Sequence, residues 1–487
     1  MRTRQSAICR NFGLGAIVTG TWLFTIFRAI PERNGDRGIF VSMAERVAAG
    51  DRLYVGAWDN KDPLFYFILG IGRYVSPLSD PVIEILWILV ACIAVVFITR
   101  YLNWTNAKII FLSFVAVPII LTGSSYVAGF THLPGISVSF VAIALSLYRR
   151  WILAGVSLGL LLFLKILLFP IGILLVLVIL LKSEGTAKYR LAAVTQSLFG
   201  LLVTISSFLI LLLFRGEFGG YFNMLRRNIQ YSQSDVADTY ALPIWSHFES
   251  VFTGSNMVIV MTSIGLLALA SSSNFQKSNV LWFTALASLA GALFIIGVSG
   301  LWWHHGQVLA IPAVLSLMFL GPAIDRLHMT PVTWLISMLA LSLVLTGGLS
   351  LRTMADNFLS SNTRLQDLSR VADSTIDLLA NTTPGSYTRL GQNTDDAHAQ
   401  GLDQYTLVCG QFLQFPYDDP SVLLGIPNCL PSADYILVDK EWVPIDGSTT
   451  WNEFVYQSEK TLNQFFECKD YNWGRLCVKK TNVAADN

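Results

Sequence analysis

The feature that most limits this chain is the recurrence of apolar stretches long enough to cross a bilayer. Runs of roughly 17 to 25 apolar residues can traverse about 30 Å of hydrocarbon as helices. They recur near residues 12–30, 81–99, 108–124, 132–148, 151–166, 168–182, 191–214, 255–271, 279–298, 304–321 and 331–349. In hydrocarbon every backbone N–H and C=O has to be satisfied internally, so such stretches are helices. The expected fold is a polytopic α-helical membrane protein of about 11 transmembrane helices. The runs at 151–166 and 168–182, which contain Lys165 and Pro170, read as two spans, or alternatively as one broken or kinked span. Composition agrees: 53% of the 487 residues are hydrophobic and 13% charged, well beyond a soluble globular protein. The net charge of +1 favours neither a nucleic-acid partner nor a polybasic surface.

Arg2, Arg4 and Arg10 precede the first apolar run in the manner of a signal peptide. No small-x-small cleavage pattern closes it, so an uncleaved first span is expected. With the N-terminus cytoplasmic, Arg100, Lys108, Arg149, Arg150, Lys182, Lys188, Arg190, Lys277 and Arg326 all fall on the cytoplasmic side. The short opposite loops containing YVAGFTH and SGLWW hold no Lys or Arg. This topology puts loops 31–80 and 215–253 outside the cytoplasm and makes 1–349 a membrane module.

Residues 350–487 lose the long apolar runs and read as an extracytoplasmic α/β domain. Helices are expected near 364–381 and 449–466, and strands around YTLVCGQFLQF, DYILVDK and GRLCVKK. Four of the six cysteines, Cys409, Cys429, Cys468 and Cys477, lie here. An even set outside the cytoplasm suggests up to two disulfides with three possible connectivities, of which the local pair Cys468 and Cys477, leaving Cys409 for Cys429, is favoured. Their spacing lacks the short paired repeats of a zinc site.

Residues 35–67 gather acids, bases and aromatics directly after an apolar span. Charges beside a bilayer need partners, water or a ligand. Asp36 suits a general base within reach of an acceptor hydroxyl, or equally a helix N-cap paired with a neighbouring arginine. Tyr54, Trp58, Asp59, Asn60 and Lys61 precede Asp62-Pro63 and the amphipathic LFYFILGIGRYV containing Tyr66. Lys61 suits a lipid-linked phosphate or plain headgroup contact. Lys165 interrupts GVSLGLLLFLKILLFPIG, and either lines a cavity or snorkels to the interface. Arg226 and Arg227 offer forked phosphate contacts or a solvated helix face. His304 and His305, after Trp302 and Trp303, line the same cavity or belong to an aromatic belt. No Gly-rich phosphate loop, nucleophile elbow or HExxH zinc helix is present.

Together these pieces resemble the GT-C superfamily of integral membrane glycosyltransferases, in particular the protein O-mannosyltransferase and lipid A aminoarabinose transferase group. The resemblance rests on Asp36, Ala44 to Gly50, Leu53-Tyr54, the stretch Asp59-Asn60-Lys61-Asp62-Pro63-Leu64, and AGVSLGLLLFLK at 154–165. Two departures stand out: the usual Asp-Glu pair is Asp36-Arg37, and the usual double proline is Asp62-Pro63. The resemblance implies a polyprenyl-phosphate sugar as donor, a protein, lipid or glycan as acceptor, and inversion at the anomeric carbon. It implies Asp36 as catalytic base, and Lys61, Lys165 and Arg226 or Arg227 as holders of the donor phosphate. Asp59, Tyr54, Tyr66, His304 and His305 become candidates for the substrate cavity. It fixes no cofactor; a divalent cation is left open, with the second acid gone at Arg37. The expected location is a plasma or inner membrane. The rival readings are a transporter or flippase of lipid-linked substrates, and an inactive member that binds envelope components.

Overall fold

The computed structural model describes residues 2–29, 36–54, 61–76, 79–124, 131–232, 255–271, 278–298, 303–319, 340, 372–390, 402, 404–409, 425–440, 442 and 449–480. The sequence runs first through four helices: α1 (Arg2–Ala29), α2 (Asp36–Ala48), α3 (Pro63–Val75) and α4 (Ser79–Tyr101). Next come α5 (Asn106–Phe111), a π-helical turn (Leu112–Ala116), α6 (Val117–Ser124), α7 (His132–Leu147) and α8 (Trp151–Leu164). A 3-10 turn (Ile166–Leu168) leads to α9 (Phe169–Lys182), α10 (Ala187–Phe214) and α11 (Phe218–Ser232). Then follow α12 (Ser255–Ser271), α13 (Ser278–Val298), a 3-10 segment (Trp303–Leu309) and α14 (Ala310–Leu317). Three stretches, Ser79–Tyr101, Ala187–Phe214 and Asn279–Gly297, are long and apolar enough to cross a membrane by length and composition. The shorter apolar helices include those at the expected runs 108–124, 132–148 and 255–271. The expected run at 331–349 lies outside the described residues, save residue 340.

Small side chains set the central packing. α8 and α10 run parallel, pairing Gly155 with Gly200, Gly159 with Thr204 and Phe163 with Phe208 at successive turns. A Cβ on Gly155 would stand 1.9 Å from the Ser197 carbonyl oxygen, and one on Gly200 2.0 Å from that of Ile152. The backbones touch here, as small residues at fourfold spacing permit between apolar helices. α4 and α7 also run parallel: the Ser137 hydroxyl donates to the Trp87 carbonyl at 2.8 Å and the Tyr148 hydroxyl to that of Phe97 at 3.2 Å.

The ambiguous pair around Lys165 resolves into two helices. α9 folds back along α8, so that a Cβ on Gly172 would meet Leu161 and Leu158. At the open end of this hairpin Arg149 donates to the Glu184 carbonyl at 3.2 Å and stacks 5.2 Å from the Tyr189 ring. Lys182 there lies 3.6 Å from the Phe283 ring centroid. Lys165 is at the opposite, closed end.

A second apolar cluster sits over that closed end. Phe40 and Met43 of α2, Phe65, Tyr66 and Leu69 of α3, Phe163, Phe208, Leu212 and Tyr221 pack together. Arg73 of α3 ties the layer to its neighbours, with two bonds to Asp80 of α4 at 2.6 and 3.1 Å and a contact with Glu45 of α2 at 3.4 Å. Both Arg73 and Asp80 are nearly inaccessible, so each charge relies on the other.

Residues 372–480 form a five-stranded mixed sheet in the order β2-β1-β3-β5-β4. Its strands are β1 (Ser386–Leu390), β2 (Thr406–Leu407), β3 (Tyr435–Asp439), β4 (Phe466–Tyr471) and β5 (Gly474–Lys479). β1 pairs in parallel with β2 and β3, while β5 is antiparallel to β3 and β4. Helix α15 (Asp373–Asn381) covers one face through Leu378 and a 2.7 Å bond from Trp473 Nε1 to Asp377. After the short α16 (Gly425–Cys429), helix α17 (Thr449–Phe465) packs Trp451 and Phe454 on the other face beside Trp442. The expected helix at 449–466 and strands at DYILVDK and GRLCVKK are present. Of YTLVCGQFLQF only Thr406–Leu407 is strand among the described residues. β1 and β4 were not expected. The Tyr387 phenol, pushed up to about 12 by burial, lies within electrostatic reach of Arg46 and Glu45, which brings β1 near the end of α2.

Both disulfides link the expected cysteines, Cys409 with Cys429 and Cys468 with Cys477. The second joins residues directly opposed on β4 and β5. The first closes a separation of 20 residues. Replacing Cys409 and Cys429 together by alanine is expected to cost this region about 3 kcal/mol through loop entropy. Limited proteolysis with and without reductant checks it: cleavage within 410–424 that is no faster in the double variant counts against the expectation.

Candidate active site

A break in the backbone organises the site. α8 ends at Leu164, and the next residue, Lys165, has a φ of −162° and ψ of 88° that leave helical space. N–H groups freed inside an apolar bundle need acceptors. Lys165 N still bonds Leu161 O at 2.9 Å, and Leu168 N takes the Lys165 carbonyl at 2.9 Å. Ile166 N donates instead to a side chain, Asp62 Oδ2, at 3.0 Å. Asp62 precedes Pro63 at the start of α3, a position that reads as an N-cap, yet its carboxylate makes no bond to its own helix. Its Oδ2 instead serves a backbone group 104 residues away.

Around this junction stand further polar groups. Lys165 Nζ lies 3.4 Å from Thr131 Oγ1, which is 3.4 Å from His132 Nδ1 at the start of α7. Glu84, 5% exposed, sits about one turn before Trp87 on the parallel neighbour α4. Lys61 Nζ stands 5.6 Å from the Phe40 ring centroid, within cation–π range. Phe40 lies about one turn into α2, the helix that Asp36 opens. Tyr221 of α11 closes the group, its ring 6.0 Å from both Tyr54 and Phe163. Burial first, and then the nearby Asp62 charge, raise the Tyr221 phenol well above its ordinary value. It therefore remains a neutral hydroxyl.

Of the residues expected from the sequence, Lys61 and Lys165 come to one junction through Asp62. Tyr54 adjoins it, its hydroxyl donating to the Lys61 carbonyl at 2.7 Å. Tyr66 is fully buried between Phe65 and Phe40 and contributes packing. Asp36 is the first residue of α2, and its side chain lies outside the described residues. Arg226 is exposed on α11. The side chains of Arg227, His304 and His305 lie outside the described residues, as does Asp59 altogether. Among the described residues no group of three His, Cys, Asp or Glu side chains is set to hold a metal.

Sequence reasoning passed over Asp62 as a ligand of the break, and over Thr131, His132, Glu84 and Glu217. Two of these carried a signal. Glu84 is an acid inside an apolar run, and His132 opens one, both costly placements without a partner.

No family model matches this chain. No curated protein matches it by sequence. Among solved structures, the arabinofuranosyltransferase AftD from mycobacteria aligns with 97% of this chain at 14% identity and a TM-score of 0.46. The alignment takes in 40% of that protein's own length, so this chain spans less than half of it. The likeness is too distant to bear on the chemistry, which the residues themselves have to carry.

Proposed function

We propose that this chain is a membrane glycosyltransferase that moves a sugar from a polyprenyl-phosphate donor to an acceptor hydroxyl, with inversion. The observation that carries the reading is the convergence of Lys61, Lys165 and Asp62 at a helix break, beside the helix that Asp36 opens. α8 and α9, at 14 residues each, rise only about 21 Å. With Arg149 and Lys182 at one interface, Lys165 then stops short of the other. A cation there suits an anionic headgroup reached from the side of the membrane.

In this mechanism Lys61 and Lys165 neutralise the charge that develops on the departing phosphate. The acceptor oxygen forms the new bond to the anomeric carbon as the carbon–phosphate oxygen bond breaks, its electron pair leaving with the lipid phosphate. The acceptor proton passes to the Asp36 carboxylate. Asp62 and Tyr54 fix the lysines by holding the break and the Lys61 carbonyl, while the aromatic cluster keeps water away. The acceptor is a protein, lipid or glycan.

The test is transfer from a panel of radiolabelled polyprenyl-phosphate sugars in membranes holding wild type or Asp36→Asn. Label is expected to move only with wild type, the variant losing about 10²- to 10⁴-fold. Lys61→Ala and Lys165→Ala are expected to raise the donor requirement. A chelator arm reads out directly whether a divalent cation takes part. No donor consumed by folded wild type, with acceptor extract present, would turn the reading to a transporter or an inactive envelope-binding protein.

A further inference from the structure

Glu217 lies in the turn between α10 and α11 and is wholly buried. Its Oε1 accepts from the Leu53 backbone N–H at 3.0 Å and from Arg215 Nε at 2.9 Å. Oε2 has no hydrogen-bond partner among the described residues. Arg215 stacks 4.9 Å from the Phe67 ring centroid of α3 and reaches the Asp51 carbonyl at 3.4 Å. The two segments are pressed together: a Cβ on Gly220 would come within 2.9 Å of Tyr54 Cβ and 3.0 Å of its carbonyl oxygen. Tyr54 itself sits at a φ of 62°, a left-handed conformation that a tyrosine keeps only when its surroundings impose it. From that strained position its hydroxyl donates to the Lys61 carbonyl.

These contacts form a chain: Glu217 pins Leu53, Leu53 precedes Tyr54, and Tyr54 closes onto Lys61, whose neighbour Asp62 caps the break at Lys165. We propose that Glu217 is a positioning residue that sets the two lysines for the donor's lipid phosphate. This rests on the donor reading above. A glutamine would serve the Leu53 N–H at lower desolvation cost; the charge serves Arg215, which fixes the same loop a second time at Asp51. Burial raises the Glu217 carboxyl, while the Leu53 N–H and the charges of Arg215 and Arg52 draw it down.

The experiment measures binding of undecaprenyl phosphate, the bare carrier, to the full chain in lipid nanodiscs. The proteins compared are wild type, Glu217→Ala, Glu217→Gln, Tyr54→Phe and Lys165→Ala. Glu217→Ala is expected to weaken carrier binding about tenfold, the size of one charge-assisted hydrogen bond. Glu217→Gln keeps the acceptor for Leu53 but gives up the charge that holds Arg215, and is expected to fall between, about threefold below wild type, a partial rescue that follows the two bonds separately. Tyr54→Phe, which keeps the ring and removes the tie to Lys61, is expected to weaken binding about threefold, as for a neutral hydrogen bond. It carries the test should Glu217→Ala not fold. Wild-type affinity in both Glu217→Ala and Tyr54→Phe overturns the positioning role. Wild type that is folded yet binds no carrier brings down the donor reading, and this role with it. Loss in Lys165→Ala alone leaves the donor reading standing and rejects Glu217.

Discussion

Gly155→Leu is expected to prevent α8 and α10 from closing, and to yield protein that aggregates or melts far below wild type. Even the first carbon of the new side chain would lie 1.9 Å from Ser197 O and 2.7 Å from its carbonyl carbon. Both are backbone atoms of a helix and cannot rotate away, unlike the tip of a flexible side chain. The cost thus exceeds the about 1–3 kcal/mol usual for overpacking a core, because the whole parallel interface through Gly159, Thr204, Phe163 and Phe208 has to open. Phe163 and Phe208 also belong to the cluster over Lys165, so the damage reaches the site. Gly155→Ala is expected to fall between. Gly265→Ala is the control: nothing lies within 4 Å of its added carbon, so stability is unchanged or slightly raised. Thermal unfolding in detergent, followed by size exclusion, reads all three. A Gly155→Leu protein with wild-type melting would show that these helices do not meet as described.

Asp62→Ala is expected to be the most damaging single change at the junction that leaves the bundle standing. It strips the acceptor from Ile166 N–H, a backbone donor in the break. A hydrogen bond to a charged group is worth about 1.5–3 kcal/mol, and more is felt when the other partner is left buried. The 3-10 turn then loses its anchor, and Lys165 with it. Donor use is expected to fall about 10- to 100-fold, following that energy. Asp62→Asn retains an acceptor oxygen and is expected to recover most of the loss. Because α3 keeps Pro63 at its first turn and takes no cap bond from Asp62, helix content should not change. Donor titration with circular dichroism separates these outcomes, and unchanged donor dependence in Asp62→Ala would remove the break from the mechanism.

The two cases differ in how legible they were. The run AGVSLGLLLFLK showed small residues at fourfold spacing and a lysine at its end, so a close helix contact and a buried charge were both open to reading. That Gly155 meets Ser197 and Gly200 meets Ile152 was not, since a partner helix enters only through tertiary packing. Asp62 is the sharper case. Asp-Pro ahead of an apolar run reads as a cap because local sequence offers that partner and no other. The fold offered a second, and an N–H in an apolar break, with no water to turn to, outcompetes one at a helix start.

The C-terminal region divides similarly. Cys468 and Cys477 were pairable from the sequence because they lie only nine positions apart. β5 declared itself by its apolar alternation, whereas its partner FECKDY buries only Phe466, and an edge strand with one inward side chain carries no periodic signal. β1 likewise became a strand through parallel neighbours on both sides.

By itself the sequence determined that this chain is a set of apolar helices followed by a cysteine-bearing α/β region, since hydrophobic length and periodicity are local quantities. It also singled out Lys61 and Lys165, because a charge in or beside an apolar run is costly wherever the chain goes. Only the tertiary structure decided what surrounds them: Asp62 accepting from Ile166 N–H at the break, Thr131 beside Lys165, and Glu217 accepting from Leu53 N–H beneath the loop. Those partners are 104, 34 and 164 residues from the groups they serve. Complementarity over such separations is created when helices pack, and no window of sequence contains it.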